Sequence, residues 1–215
     1  MDARGALAEY HRVRIARAVE AFNRRGFAAR AFDASGEAVE FFFSDLEPGE
    51  TIGYGGSETT RQLGVLDRLR DGSHRFLDRG KYGSSYDEQL DIRRQTLCAD
   101  VMIASTNAAS IDGALVNIDG ASNRVAGLSF GPGRVYLFVG RNKLCDDLER
   151  AVHRAKNVAA VALAIQLGKN TPCTTTGVCH DCASPDRICR TVSIIERCKP
   201  AGRIHLLFVN EDLGL

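Results

Sequence analysis

Apolar residues recur along this chain with two alternating periods, and the alternation points to a fold class before any single residue is considered. Ile15, Val19 and Phe22 repeat at helical spacing through residues 2–25, and Gly26 stands where that amphipathic helix should end. Ala28–Phe32 follows as a short strand. Val39, Phe42, Phe43 and Leu46 return to the helical spacing, and Pro48-Gly49 stops that helix before a strand opens at Thr51-Ile52. Past the glycine turn of residues 53–56, Ser57 is placed to cap one helix whose stripe is Leu63, Leu66 and Leu69 and whose end is Asp71-Gly72. Residues 74–77 read as a strand, Ser85 with Glu88 as the capping box of a helix reaching about Cys98, and Val101–Ala104 as a buried strand. Residues 115–118, 134–139 and 204–209 are strand-like, and a helix over 146–167 carries Leu148, Val152, Ala155, Ala159 and Ala162 on one face. Helices alternating with short apolar strands predict an α/β protein, a mostly parallel sheet covered by helices, in one domain over residues 1–215.

Charge narrows the partners. The 28 basic and 27 acidic residues give a net charge of +1 and are interspersed, so nucleic acid is not an expected partner, because a phosphate backbone needs concentrated positive charge. The longest mostly apolar run, 158–167, is too short to span a bilayer, and the charged N-terminal segment carries no export signal. A cytoplasmic protein with no membrane partner is expected. In a reducing compartment the seven cysteines suit metal or redox work better than a disulfide framework.

Four of those cysteines, Cys173, Cys179, Cys182 and Cys189, fall in a loop at 171–190 with the spacing C-x5-C-x2-C-x6-C. Four thiolates on a short tether bent by Gly177, Pro172 and Pro185 can converge on one centre. The single C-x2-C knuckle leaves both an iron–sulfur cluster and a zinc ion open, with the irregular spacing leaning to the former. Cys98 and Cys145 lie in predicted regular structure and are expected to be dispensable. A second constellation, Gly53, Gly55, Gly56 and Ser57, sits at a strand-to-helix turn whose backbone N–H groups would welcome a phosphate or carboxylate. It has neither the Walker nor the dinucleotide spacing, and a ligand-free βα turn is the plain alternative. A third is a polar stretch that includes Ser105, Asn107, Asp112, Asn117, Asp119, Asn123 and Arg124, followed at another strand end by Lys143. Such residues line a crevice if they stand at strand termini and merely make turns if they do not.

The runs GYGGSETT, ADVMIASTNAASIDGALVNIDGASNRVA, GPGRVYLFVGRNK, TPCTTTGVCHDCASPDRIC and GRIHLLFVNEDLGL together resemble the lactate-utilisation (LUD) domain family over residues 5–215. The resemblance implies a fold similar to ribose-phosphate isomerases, glucosamine-phosphate deaminases and CoA transferases, with a ligand crevice at the strand ends. It places Gly53, Gly55, Gly56, Ser57, Asn117, Asn123 and Lys143 as ligand-binding residues around a small anionic substrate, and Asp112 and Asp119 as candidate catalytic carboxylates. The ferredoxin-like region of larger family members is missing, and the chain resembles short standalone members with one four-cysteine loop. The reading that follows is an iron–sulfur redox component acting on lactate or a related small 2-hydroxy acid, working with a redox partner subunit and forming a homodimer. Its rival is a sugar-phosphate isomerase, transferase or anion-binding protein with a structural zinc.

Overall fold

The computed structural model describes residues 2–78, 80 and 85–215. In its first half, α1 (Ala3–Arg24), β1 (Ala28–Phe32), α2 (Ser35–Ser44) and β2 (Thr51–Tyr54) lie where the apolar periods place them. The helix expected from Ser57 to Asp71 is two, α3 (Glu58–Gln62) and α4 (Val65–Asp71), because Gly64 adopts a left-handed φ of 67° and turns the chain between them. The Leu63, Leu66, Leu69 spacing runs through the break, so periodicity alone could not reveal it. Next come β3 (Arg75–Leu77), α5 (Tyr86–Thr96) and β4 (Val101–Ala104), with Ser85 and Glu88 forming the expected reciprocal capping box on α5.

The second half sets the two expected strands at 115–118 and 134–139 among short elements that the sequence pattern did not show. In order they are β5 (Ala108–Ser110), the expected β6 (Leu115–Asp119), α6 (Asn123–Ser129), the expected β7 (Arg134–Gly140), a 3₁₀ turn at Arg141–Lys143 and β8 (Leu144–Cys145). The long helix is α7 (Leu148–Arg154) and α8 (Ala160–Gln166), joined through a wider π turn at Ala155–Ala159. After α9 (Pro172–Thr176) come β9 (Thr191–Ile195) and β10 (Ile204–Val209).

Six strands form a sheet in the order β1-β10-β7-β4-β2-β3, and every pair is parallel. Alternation along the strands divides the core. Leu137, Val139, Leu206 and Phe208 face Ile15, Ala18 and Phe22 of α1, whereas Tyr136, Phe138, Leu207 and Val209 face Phe42 of α2 and Leu66 and Leu69 of α4. A smaller sheet, β8-β5-β6-β9, packs Leu115 and Ala109 into the first of these clusters and Val116 and Ile118 against Ala151 and Ala155. With all six strands of the main sheet parallel, β2, β4 and β7 end on the same edge, which is where an α/β sheet places ligands.

Candidate functional site

The segments leaving β2, β4 and β7 line a crevice of about 690 Å³, and Lys143, in the 3₁₀ turn after β7, contributes a buried amine to its wall. Lys143 is only 3% exposed; its Nζ donates to Thr59 Oγ1 at 2.7 Å and to Ser105 Oγ at 3.0 Å. Both hydroxyls are turned to accept, since Ser105 Oγ gives its proton to the Phe138 carbonyl at 2.7 Å and Thr59 Oγ1 points its own to the Leu213 carbonyl at 3.5 Å. A neutral amine has two N–H bonds and one lone pair. The two bonds are spent on the hydroxyls and the lone pair is not. Burial, reinforced by the nearby Arg154 and Arg124 guanidinium groups, pulls the Lys143 pKa down from 10.5 to about 7.

The residues over the amine are fixed by close approach. A Cβ on Gly214, whose φ is 61°, would stand 2.4 Å from Thr59 Oγ1 and 3.3 Å from Lys143 Nζ. Gly214 N donates to Gln62 Oε1 at 2.7 Å and Leu213 N to Asn142 Oδ1 at 3.1 Å, so this segment is hydrogen-bonded across the amine's side of the crevice.

Arg124, in the first turn of α6, is the second buried cation. Its Nε donates to Asp119 Oδ1 at 3.0 Å, Nη1 to the Ser105 carbonyl at 3.0 Å, and Nη2 to Asn107 Oδ1 at 2.6 Å and the Ile118 carbonyl at 2.8 Å. One Nη1 proton lies beyond these bonds. Arg154, at the end of α7, donates from Nη1 to the Asn107 carbonyl at 2.6 Å and from Nε to the Asn142 carbonyl at 2.8 Å. The crevice wall therefore carries Arg124 and one amine that can shed its charge, with Arg61, Arg70 and Arg93 adding positive charge and Glu58, Asp78 and Asp119 partly offsetting it. Arg154 stands behind Lys143, outside the wall. The crevice suits a small anion bearing a group that gives up a proton.

The sequence-derived site residues divide. Gly55, Gly56, Ser57, Asp119, Asn123 and Lys143 line the crevice. Gly53 does not; it lies against α5, where an added Cβ would meet Thr96 Cγ2 at 2.5 Å. The turn itself spends N–H groups that an anion cradle would need: Gly55 N bonds the Ile103 carbonyl at 3.0 Å and Ser57 N bonds Tyr54 Oη at 2.7 Å. Positive φ falls on Gly56, at 85°, and Gly55 is instead constrained by approach to Ala104 Cβ and Arg124 Cγ at 3.1 and 3.2 Å. Asn117 is fully buried within β6 and away from the crevice wall, with both amide atoms lacking a hydrogen bond among the described residues. Asp112 is exposed in a separate concavity of about 380 Å³, paired with Arg17 at 3.4 Å, and so is not brought to the crevice. Asp119 is, but its two oxygens accept from Arg124 and from Val125 N at 2.8 Å, so both are engaged in orienting Arg124 and the start of α6. The Thr59 hydroxyl belongs to the glycine-turn constellation read from the sequence and reaches Lys143 from α3, whereas Arg154, on α7, carried no signal in the sequence.

The LUD domain model matches residues 15–209. The chain belongs to the LUD domain family. A crystal structure of a DUF162 family protein from Deinococcus radiodurans superimposes on this LUD protein with a TM-score of 0.51 and 13% identity, covering 93% of this chain and 97% of that one, which shows a shared fold. A search of curated proteins finds no match.

In this LUD protein the cysteine loop borders the crevice, with Ile188, next to Cys189, in the wall. Arg187 ties the loop together, donating to the carbonyls of Cys182 at 2.7 Å and Cys189 at 2.9 Å and to Asp181 Oδ1 at 2.7 Å. Asn157 in the π turn holds the other side by accepting from Cys179 N at 3.1 Å. Burial pushes the Cys189 thiol up, Arg187 opposes this, and Cys179 and Cys182 lie near enough to push it further. Cys173 lies in α9, with Thr171 Oγ1 as its neighbour at 3.2 Å. All seven cysteines are free thiols, and among the described residues no three His, Cys, Asp or Glu side chains are gathered as a metal-holding set. The donors are of the right kind for iron or zinc; as arranged, they do not fit a closed centre. No helix among the described residues is long and apolar enough to cross a membrane.

Proposed function

We propose that this LUD protein binds lactate or a related small 2-hydroxy acid in the crevice and takes part in its oxidation as one component of a redox system. The observation that carries the reading is the Lys143 amine: buried, hydrogen-bonded only to hydroxyls, and able to shed its proton near pH 7. In the bound complex its lone pair takes the proton of the C2 hydroxyl, while Arg124 in the crevice wall holds the substrate carboxylate. The hydride equivalent passes to an acceptor brought by a partner subunit, because no amino-acid side chain in the crevice accepts one. Iron–sulfur binding by the four cysteines is a further proposal, which the arrangement of the thiols does not itself carry.

A second reading is supported by size. About 690 Å³ is room for a ligand well beyond three carbons, which favours a sugar phosphate as the alternative substrate class. In that reading too the base is Lys143, since Asp112 lies elsewhere and Asp119 is committed to Arg124. Calorimetric titration separates the two. Lactate and pyruvate should release heat on binding the wild type, and Lys143→Ala should weaken that binding by about 1.5–3 kcal/mol. Heat from ribose 5-phosphate alone would select the rival class, and equal affinity in the variant would remove Lys143 from the site.

A further inference from the structure

We infer that Lys143 is a covalent nucleophile, whose amine condenses with the carbonyl of a 2-oxo acid in the crevice to form an imine. The inference rests on the reading of the crevice as a site for small 2-hydroxy acids, whose oxidation products are 2-oxo acids.

Residue choice makes the first argument. The chain has five lysines against twenty-three arginines, and Lys143 is the one lysine buried among the described residues. Where this protein needs a permanent buried cation at the crevice it uses arginine, at position 124, with guanidinium N–H groups spread over carbonyls and a carboxylate. A lysine within the field of Arg124 and Arg154 offers what arginine cannot, a nitrogen that sheds its proton. Geometry makes the second. Thr59 Oγ1 and Ser105 Oγ fix the nitrogen by its two N–H bonds, so the lone pair is the one feature of the amine that the protein leaves uncommitted. A third N–H, as in an ammonium, would find no carboxylate, for none pairs with Lys143 among the described residues. Desolvation and the two guanidinium groups favour the neutral form further, as the downward shift to about 7 expresses.

The step balances within the site. The lone pair forms the new C–N bond at the carbonyl carbon, a proton moves from nitrogen to the former carbonyl oxygen, and that oxygen leaves with both amine hydrogens as water. Neither partner is oxidised or reduced. Thr59 and Ser105, already bonded to the nitrogen, are placed to guide those protons.

The test is reductive trapping of the whole protein with pyruvate and cyanoborohydride at neutral pH, read by intact mass and by peptide mapping, beside calorimetric titration with pyruvate alone. The expected product is one adduct, of the mass of pyruvic acid less one oxygen atom, located on Lys143. It should be absent from Lys143→Arg and suppressed by excess lactate. The map on wild type locates the adduct even if the variant does not fold, and Lys156, Lys169 and Lys199 serve as internal controls. Pyruvate that binds in the titration yet gives no adduct, or one spread evenly over those lysines, overturns the nucleophile and leaves the crevice reading standing. Neither heat nor adduct overturns both.

Discussion

Burying a lysine amine without a carboxylate beside it sets stability against protonation, and at Lys143 the sign of that linkage can be worked out. Its folded pKa lies near 7 and its unfolded value near 10.5, so between those limits the unfolded chain holds a proton that the folded chain lacks. Unfolding free energy therefore rises with pH across that window, and the penalty of burying the ammonium is fully present below about pH 7. Lys143→Met removes this one group and leaves the other titrations in place. Urea unfolding of both proteins should show the wild type gaining on the variant by roughly 4 kcal/mol between pH 7 and 10.5, at about 1.4 kcal/mol per pKa unit. A difference that stays flat with pH would mean the folded amine is charged, and would take with it both the general-base and the nucleophile roles.

At the scale of elements, the site depends on how closely β2 approaches α5. A methyl at Gly53 would meet Thr96 Cγ2 at 2.5 Å and the Thr96 Cα at 3.1 Å, so Gly53→Ala should cost about 1–3 kcal/mol by overpacking. Thr96→Ser in the same chain, which deletes the offending methyl, should recover part of that in thermal melts; simple additivity would show that the two positions do not touch. Elements of this kind set the limits of what the sequence could show. Strands β4 and β10 were legible because both faces of a parallel sheet are buried and their apolar runs are nearly unbroken. By contrast, β5 has three residues and β8 two, too few for any period to register, and the second sheet was missed with them. The site was legible as a list and not as an arrangement. Lys143 and Asp119 were found, but Asp112, a few residues from Leu115 in sequence, faces another concavity. Arg154, eleven residues beyond Lys143 on a helix, reads as an ordinary solvated charge.

At the scale of the whole molecule the cysteine loop meets the crevice at Ile188, and metal uptake is tested there. If the loop takes up iron or zinc, the four thiols must be drawn together from the arrangement described above. Anaerobically purified protein should then contain stoichiometric metal, brown for a cluster and colourless for zinc, with each of Cys173→Ala, Cys179→Ala, Cys182→Ala and Cys189→Ala lowering metal content and melting temperature together. Cys98→Ala and Cys145→Ala should change neither. Metal-free protein with full thermal stability would make Arg187, which ties the Cys182 and Cys189 carbonyls, the organiser of a purely protein-built loop. The strand order has its own outcome, in the history of the chain and not in its chemistry. β10 lies between β1 and β7 and follows every other described strand in sequence. During translation β1 and β7 must wait with open edges until residues 204–209 leave the ribosome, and the sheet then closes at its interior instead of growing from one side. A nascent chain halted before Ile204 carries two unpaired parallel-strand edges, the kind of surface that chaperones bind and proteases find.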